Sequence, residues 1–494
     1  MELVIGNVVA DAALLRPRGV AATLRNESIT FAELDAEANR MAHALRGLGV
    51  ERGHLVSWWT GSTMRSLFGV LACARLGAVF APLSPAIGPE EARTVLDYVG
   101  PRLVVTDRER AEAARATGLD TVTVDTEAAH DLAALSRSAA STPVATSVHE
   151  DDPHILYMTS GSTGTPKGVL VSHRATYLRS SPGAGTFGGA MRGDRGVLSS
   201  FPLSHYGGWH YVIEAWLHRT AIHLVPHADA GHLHAALSKH QPTAMYCIPA
   251  VWERVLAEPG DLTCLQHADS GTSTVAVGLV ERLRARAPQA TTTVLYGSSE
   301  AGPMAALRHW QITAKPGSVG RAISPGVLVL AEDGEILHRG PTLMNGYLYR
   351  PEATAEALAG GWYHSGDLGE YDDDGFLYIT GRKREIIRSG GESVAPVEVE
   401  EAIRTLPGVA DVAVIGLPDE CWGEIVTAVV VPEAGARVPD LADLREGLAP
   451  LARYKHPRRV VITDAIPRTA ATGQVMRSRV RAELLARGTQ PATP

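Results

Sequence analysis

Apolar residues recur at helical spacing through residues 31–46, where Leu34, Ala38, Met41 and Leu45 share one face, and this stripe predicts a core helix. Thr30 precedes it as an N-cap, with Glu33 three residues on as the second half of a capping box. The period then changes. Short apolar runs at 54–59 and 78–82 flank a helical pattern at 66–76, which predicts a β-α-β unit and so a parallel sheet. Similar runs at 103–106, 121–124, 221–225 and 244–248, separated by helical stretches such as 274–287, extend this to a layered α/β architecture. Beyond residue 320 short strands and turns take over, at 327–331, Asp333-Gly334, 372–375 and 376–380, and predict a β-rich subdomain.

At 494 residues the chain exceeds what one hydrophobic core supports. A boundary is expected where the strand ending at Gly381 runs into Arg382-Lys383-Arg384. The reading is α/β, with a large N-terminal domain at 1–381 that combines layered α/β subdomains with the β-rich one. A hinge at 382–384 and a small C-terminal α/β domain at 385–494 follow. Within that small domain, helix 397–406, strands 409–416 and 424–431, helix 440–448 and strand 459–462 can build a core of their own. Residues 487–494, with Gly, Thr, Gln and two Pro, are expected to fray.

Composition narrows the function classes. With 45% hydrophobic and 20% charged residues the chain reads as a globular protein. A net charge of -8 argues against a surface devoted to nucleic acid or anionic membrane, so neither is an expected partner. Cys73, Cys247, Cys264 and Cys421 show no Cys-x-x-Cys spacing, which predicts neither a disulfide framework nor a zinc site and fits a reducing cytoplasm. No basic-then-apolar leader and no apolar run of membrane-spanning length is visible.

The candidate chemistry starts at residues 157–168, Tyr-Met-Thr-Ser-Gly-Ser-Thr-Gly-Thr-Pro-Lys-Gly. Gly161, Gly164 and Gly168 let backbone approach an anion, Thr159, Ser160, Ser162 and Thr163 bring hydroxyl donors, and Lys167 brings a mobile positive charge. Such a loop suits the phosphates of a nucleotide. It is not a Walker loop, because Lys167 precedes its glycine.

Further motifs follow in order: Tyr296-Gly297-Ser298-Ser299-Glu300, Gly346-Tyr347, Arg350-Pro351-Glu352-Ala353-Thr354, Gly361-Trp362-Tyr363-His364-Ser365-Gly366-Asp367-Leu368, Gly381-Arg382 and Ile466-Pro467-Arg468-Thr469. Over nearly the whole chain the series resembles the adenylate-forming superfamily of acyl-CoA synthetases, adenylation domains and firefly luciferase. The resemblance implies ATP and Mg²⁺ as cofactors, and a small C-terminal domain that rotates between adenylation and transfer. It implies that residues 159–167, including Thr163 and Lys167, hold the β- and γ-phosphates. Tyr296 and Gly297 would line adenine, together with Gly271 and Thr272, whose Gly-Thr-Ser spelling departs from the family's. Ser299 would meet the α-phosphate, Glu300 and Thr159 the metal, and Asp367 and Arg382 the ribose. An oxygen donor suits a hard cation, and a carboxylate can accept both ribose hydroxyls.

The acid is expected against residues 201–209, with His205 as a gating imidazole. Amino-acid adenylation domains place an aspartate where Tyr206 stands, to pair with the substrate ammonium. Leaving that ammonium unpaired would be costly, so an α-amino acid is disfavoured. Aromatic bulk at Tyr206, Trp209 and Tyr211 favours a short or planar acid. The other histidines of this stretch, His210, His218, His223, His227, His232, His234 and His240, have no metal-site spacing.

One departure changes the picture. Where the family ends in Gly-Lys, with a lysine that bridges the acid and the α-phosphate, this chain reads Gly473-Gln474 after a spacer one residue longer. Gln474 carries no charge, and losing one preorganised donor typically lowers kcat by roughly 100- to 1000-fold. Three readings stay open: Arg477 or Arg479 substitutes, the activated anion does not need this lysine, or the first half-reaction has been lost. The leading expectation is an acyl-AMP made from a small, aromatic acid and passed to CoA or a carrier-protein thiol, with Ser389-Gly390-Gly391-Glu392-Ser393 resembling the loop that lines a pantetheine tunnel. The alternatives are activation of nitrite and its delivery to an aromatic amine as a diazo product, and a non-catalytic nucleotide-binding homologue.

Overall fold

The computed structural model describes residues 2–126, 131–159, 167–181, 195–323, 325–390, 392–419, 421–437, 440–449, 451–469 and 473–486. They fall into two compact units. The first is built from Met1–Gly161, Thr165–Leu328 and His338–Tyr363, and the second chiefly from Val329–Leu337 and His364–Pro494. The 382–384 segment expected as a hinge lies inside the second unit.

In the first unit, a seven-stranded sheet runs in the order Gly346–Tyr347, Lys167–Ser172, Pro153–Thr159, Val79–Pro82, Leu55–Trp59, Leu103–Thr106, Thr121–Thr123. The expected β-α-β unit is there. Leu55–Trp59 pairs in parallel with Val79–Pro82 across the helix Met64–Leu76. All four residues of Leu103–Thr106 are buried, which is why this strand reads as a continuous apolar run instead of an alternating one. The helix Pro89–Val99 starts with proline in its first turn and ends at Gly100 in the left-handed region, φ 57°. Its Ala92, Val95, Leu96 and Val99 form one stripe and pack into the same core as Trp59, Val79 and Val104. Gly69 marks the tightest approach, since a Cβ there would lie 2.5 Å from the Trp58 ring.

A second run of nine strands in this unit has the order Ser318–Ala322, Gly302–Leu307, Val294–Ser298, His267–Gly271, Ala244–Tyr246, Val197–Ser199, Ile222–Leu224, Val20–Leu24, Glu27–Thr30. The helix Phe31–Gly47 follows with its predicted capping box: Glu33 N–H donates to Thr30 Oγ1 at 3.3 Å and Thr30 N–H to Glu33 Oε2 at 2.9 Å. One expected helix, 274–287, starts late, at Val277. Ala276, just before it, is extended at φ -68° and ψ 140° and stands at the N-cap.

The second unit contains the antiparallel pair Tyr363–Tyr371 and Leu377–Arg382 and a five-stranded sheet. In the latter, Val409–Asp419 pairs with Gly423–Pro432, which also takes Arg459–Ile462 in parallel. Side chains alternate between two cores. Val412 and Val414 join Val399 and Ile403 of the helix Pro396–Arg404, whereas Ala413, Ile415 and Leu417 join Val480 and Leu484 of Arg477–Ala486. No helix among the described residues is long and apolar enough to cross a membrane. Cys73, Cys247 and Cys264 are buried thiols and Cys421 is exposed.

Histidine burial distinguishes the first unit. His154 and His173 stack at 4.7 Å, and Ile5 N–H donates to His173 Nδ1. His223 and His240 stack at 4.4 Å beside the Thr23 hydroxyl, which lies 2.8 Å from His223 Nδ1. Burial holds His154 well below the ordinary imidazole value and lowers His173 and His223 to about 4. These rings are neutral in the fold, and the unfolded chain binds their protons first. Their stabilising effect is therefore complete above pH 6.5 and is lost as pH falls toward 4. Each contributes a slope of up to about 1.4 kcal/mol per pH unit in that window. We expect His154→Phe to reduce the acid-limb slope of unfolding free energy by about one proton's worth in denaturant titrations between pH 6.5 and 4.5. An unchanged slope would exclude His154 as an acid trigger.

Candidate functional site

The phosphate-loop candidates Ser160, Gly161, Ser162, Thr163 and Gly164 lie outside the described residues. The strands on either side are described. Thr159 and Lys167 are register partners, and the Thr159 hydroxyl donates to the Lys167 carbonyl at 3.2 Å. Gly168 N–H donates to Tyr98 Oη at 3.3 Å, so the return strand is fixed next to the lysine. The Lys167 ammonium sits 4.9 Å from the Tyr347 ring centroid. Tyr347 in turn donates its hydroxyl proton to Glu300 Oε1 at 2.9 Å. One tyrosine thus joins the lysine expected on the phosphates to the carboxylate expected on the metal.

Glu300 and Ser299 occupy the turn between the antiparallel strands Val294–Ser298 and Gly302–Leu307, and Tyr296 and Gly297 lie on the first of these. The turn is held from behind by Arg179, which is 1% exposed. Its guanidinium donates to three carbonyls: Thr342 at 2.7 Å, Ser299 at 3.0 Å and Glu300 at 2.7 Å. Burial lowers its pKa, but an arginine stays cationic in a protein interior. The guanidinium also lies 5.6 Å from the Tyr206 ring centroid. Nothing in the local spacing around Arg179 signalled this role.

Beside that turn an aromatic wall forms. Phe201 stacks on His205 at 5.6 Å and on Tyr211 at 6.2 Å, and Tyr211 stacks on Tyr246 at 5.3 Å. Tyr246 Oη lies 3.2 Å from the Thr272 hydroxyl. Here only glycine fits at 271: a Cβ would meet Leu295 O at 2.2 Å and Tyr246 Oη at 2.6 Å. Gly271, Thr272 and the wall are therefore one piece. His205 caps the helix Tyr206–Leu217, accepting Gly207 N–H at Nδ1, and burial lowers its pKa to about 4, so it presents a neutral imidazole with its proton on Nε2. Below the segment, Asp269 is fully buried and accepts Thr293 N–H at 2.5 Å. Desolvation raises its pKa to about 8, which leaves it protonated at neutral pH.

In the second unit, Asp367 and Arg382 are cross-strand partners, with Nε 2.9 Å from Oδ1. Lys383 is held by Asp333 at 2.6 Å and Glu335 at 3.0 Å. Gln474 is tied to Thr469 by two bonds: Thr469 N–H donates to the Gln474 carbonyl at 2.9 Å, and Gln474 N–H donates to Thr469 Oγ1 at 3.0 Å. Of the arginines after it, Arg477 is held by a buried carboxylate and Arg479 by an exposed neighbour on its own helix. Arg477 makes a bidentate pair with the buried Glu400 at 2.7 and 2.9 Å and reaches Glu385 at 2.5 Å, while Arg479 pairs with Glu483 at 2.9 Å. Withdrawing one partner of a buried pair costs about 3–5 kcal/mol, which argues against Arg477 as the replacement for a lysine. Among the described residues no group of three His, Cys, Asp or Glu side chains is gathered as a metal site.

Residues 9–348 match the family model described as "AMP-binding enzyme", and residues 398–472 match "AMP-binding enzyme C-terminal domain". The chain is 34% identical to an indoleacetate–CoA ligase of Aromatoleum aromaticum over 96% of its length and 97% of that protein's. It is 32% identical to a feruloyl-CoA synthase of an Amycolatopsis species, over 97% and 98%. Among solved structures, ATP-bound MatB from Rhodopseudomonas palustris superposes with a TM-score of 0.88 at 26% identity, covering 98% of this chain and 99% of that one.

The Tyr347 bridge is open to a direct check. Tyr347→Phe keeps the ring beneath Lys167 and removes the proton donated to Glu300. We expect about tenfold more Mg²⁺ to be needed for half-maximal pyrophosphate release, with the thermal midpoint little changed. An unaltered Mg²⁺ dependence would show that this bond does not orient Glu300.

Proposed function

The chain belongs to the AMP-binding enzyme family, and from that premise we propose that this acyl-CoA-ligase-type adenylating enzyme activates a small aromatic carboxylic acid with ATP and transfers it to CoA. The observation that carries the reading is the aromatic wall of Phe201, Tyr211 and Tyr246, joined through Thr272 to the segment beside Tyr296. Flat rings stacked in this way suit a planar substrate by offset or edge contacts. Relatives whose names carry indoleacetate and feruloyl groups favour the same class.

The residues have separable tasks. Lys167, with the hydroxyls and glycines of 159–164, neutralises the β- and γ-phosphates. Glu300, oriented by Tyr347, and Thr159 are an oxygen-donor set that fits Mg²⁺, which when bound screens phosphate charge. Ser299 donates to the α-phosphate, Tyr296, Gly297, Gly271 and Thr272 line adenine, and Asp367 with Arg382 holds the ribose. His205, neutral and protonated at Nε2, donates toward the acid without adding charge. A carboxylate oxygen attacks the α-phosphorus and pyrophosphate leaves; a thiolate then attacks the acyl carbon and AMP leaves. Within the second unit Lys383 is held by Asp333 and Glu335, and Glu385 by Arg477.

A second reading is favoured by Gln474 and the commitment of Arg477: an anion smaller than a carboxylate, nitrite, activated for transfer to an aromatic amine. The relatives described above give it no support. AMP and pyrophosphate release with ATP, CoA and a panel of aryl acids, against nitrite plus aryl amines, separates the two. We expect turnover with aryl acids and a gain of roughly 100-fold in acyl-AMP formation in Gln474→Lys. AMP released only with nitrite and an amine would overturn the carboxylate reading.

A further inference from the structure

One edge of the seven-stranded sheet is a strand of only two residues, Gly346 and Tyr347, paired with Leu170 and Val169. Few ladder bonds hold so short a strand, and segments held by few backbone bonds open locally with ease. Yet its second residue carries two contacts of the site. The Tyr347 ring lies 4.9 Å from the Lys167 ammonium, and the Tyr347 hydroxyl donates to Glu300 Oε1 at 2.9 Å.

A residue distant in sequence supplies the missing hold. Tyr98 is the penultimate residue of the helix Pro89–Val99, which is anchored by Ala92, Val95, Leu96 and Val99 in the core. Its hydroxyl reaches the residues that directly follow Lys167 and Tyr347. Tyr98 Oη accepts Gly168 N–H at 3.3 Å and donates to the Leu348 carbonyl at 2.5 Å. Gly168 and Leu348 also bond each other, Leu348 N–H donating to the Gly168 carbonyl at 2.8 Å. Both directions at the hydroxyl are fixed, because an amide N–H only donates and a carbonyl only accepts. One proton and one lone pair of Tyr98 thus close a junction of helix, return strand and edge strand.

Packing leaves this junction little play. A Cβ on Gly168 would lie 2.8 Å from Leu156 Cδ1 and 3.4 Å from Leu348 Cβ, and both leucines belong to the buried cluster on which the helix packs. The Tyr98 ring is flanked by Tyr349, edge-on at 6.5 Å, and by the Arg350 guanidinium at 5.7 Å.

Resting on the reading of Lys167 and Glu300 as the residues that serve the β- and γ-phosphates and their metal, we infer that Tyr98 is a positioning residue for ATP, whose hydroxyl sets the spacing between Lys167 and the Tyr347–Glu300 pair. It acts through backbone alone. Groups that must engage one polyphosphate together have to be held in place by a supporting shell, and here that shell is a single hydroxyl. AMP, which lacks the β- and γ-phosphates, is indifferent to it.

Calorimetric titration with MgATP and with AMP, in each protein, tests this. Tyr98→Phe keeps the ring and removes both bonds. It is expected to weaken MgATP about tenfold and leave AMP unchanged. Lys167→Ala should shift the same ratio, and Tyr98→Phe added to Lys167→Ala with Tyr347→Phe should shift it little further, since the groups it positions are already gone. AMP binding shows that each variant retains a folded nucleotide site, so a general loss of stability cannot mimic the effect. An equal loss of MgATP and AMP in Tyr98→Phe would reduce the tyrosine to a structural role and overturn the inference. An unchanged ratio in Tyr98→Phe beside a changed one in Lys167→Ala would overturn the inference and leave the phosphate reading standing. If neither Lys167→Ala nor Tyr347→Phe moves the ratio, the phosphate reading falls and the inference with it.

Discussion

A guanidinium buried as deeply as Arg179 must be surrounded by acceptors, and the first unit is organised around supplying them. Three carbonyls converge on it, those of Thr342, Ser299 and Glu300. The turn carrying Ser299 and Glu300 is thereby tied to the helix His173–Ser180 and to the segment leading into Gly346–Tyr347. Tyr347 then reaches Glu300 from one side and Lys167 from the other. Carbonyl oxygens solvate the charge without cancelling it, so a positive field persists beside the Tyr206 and Tyr157 rings. Burial first, and that field second, oppose protonation of His210.

The second unit solves a comparable problem with carboxylates. Arg477 connects Glu400, on the helix Pro396–Arg404, to Glu385, immediately after the basic segment. Buried pairing of this kind gives definition to a small lobe, whose sheet is covered by apolar clusters on both faces. It also takes the nearest arginine out of the chemistry. Releasing Arg477 toward a ligand would leave the buried Glu400 carboxylate without its guanidinium.

Much of this was legible in the sequence. Periodicity located the β-α-β unit at residues 54–82 and the apolar strands of the C-terminal lobe, because a strand covered on both faces is apolar along most of its length. The capping box at Thr30 and Glu33 is a contact between residues three apart, so spacing alone reveals it. Motif chemistry likewise led to Asp367 and Arg382, which face each other as cross-strand partners.

What the sequence could not reveal were contacts made across long loops. Arg179 meets carbonyls more than 100 residues away, Tyr347 meets Glu300 at a separation of 47, and Arg477 meets Glu400 at 77. No local pattern encodes such pairs, since each depends on where two independently formed elements come to lie. The sequence by itself determined the elements, the family's order of motifs and the loss of a lysine at 474. Only tertiary structure decided which neighbouring charges were already committed, because that is settled by desolvation and by the partners that packing brings within reach.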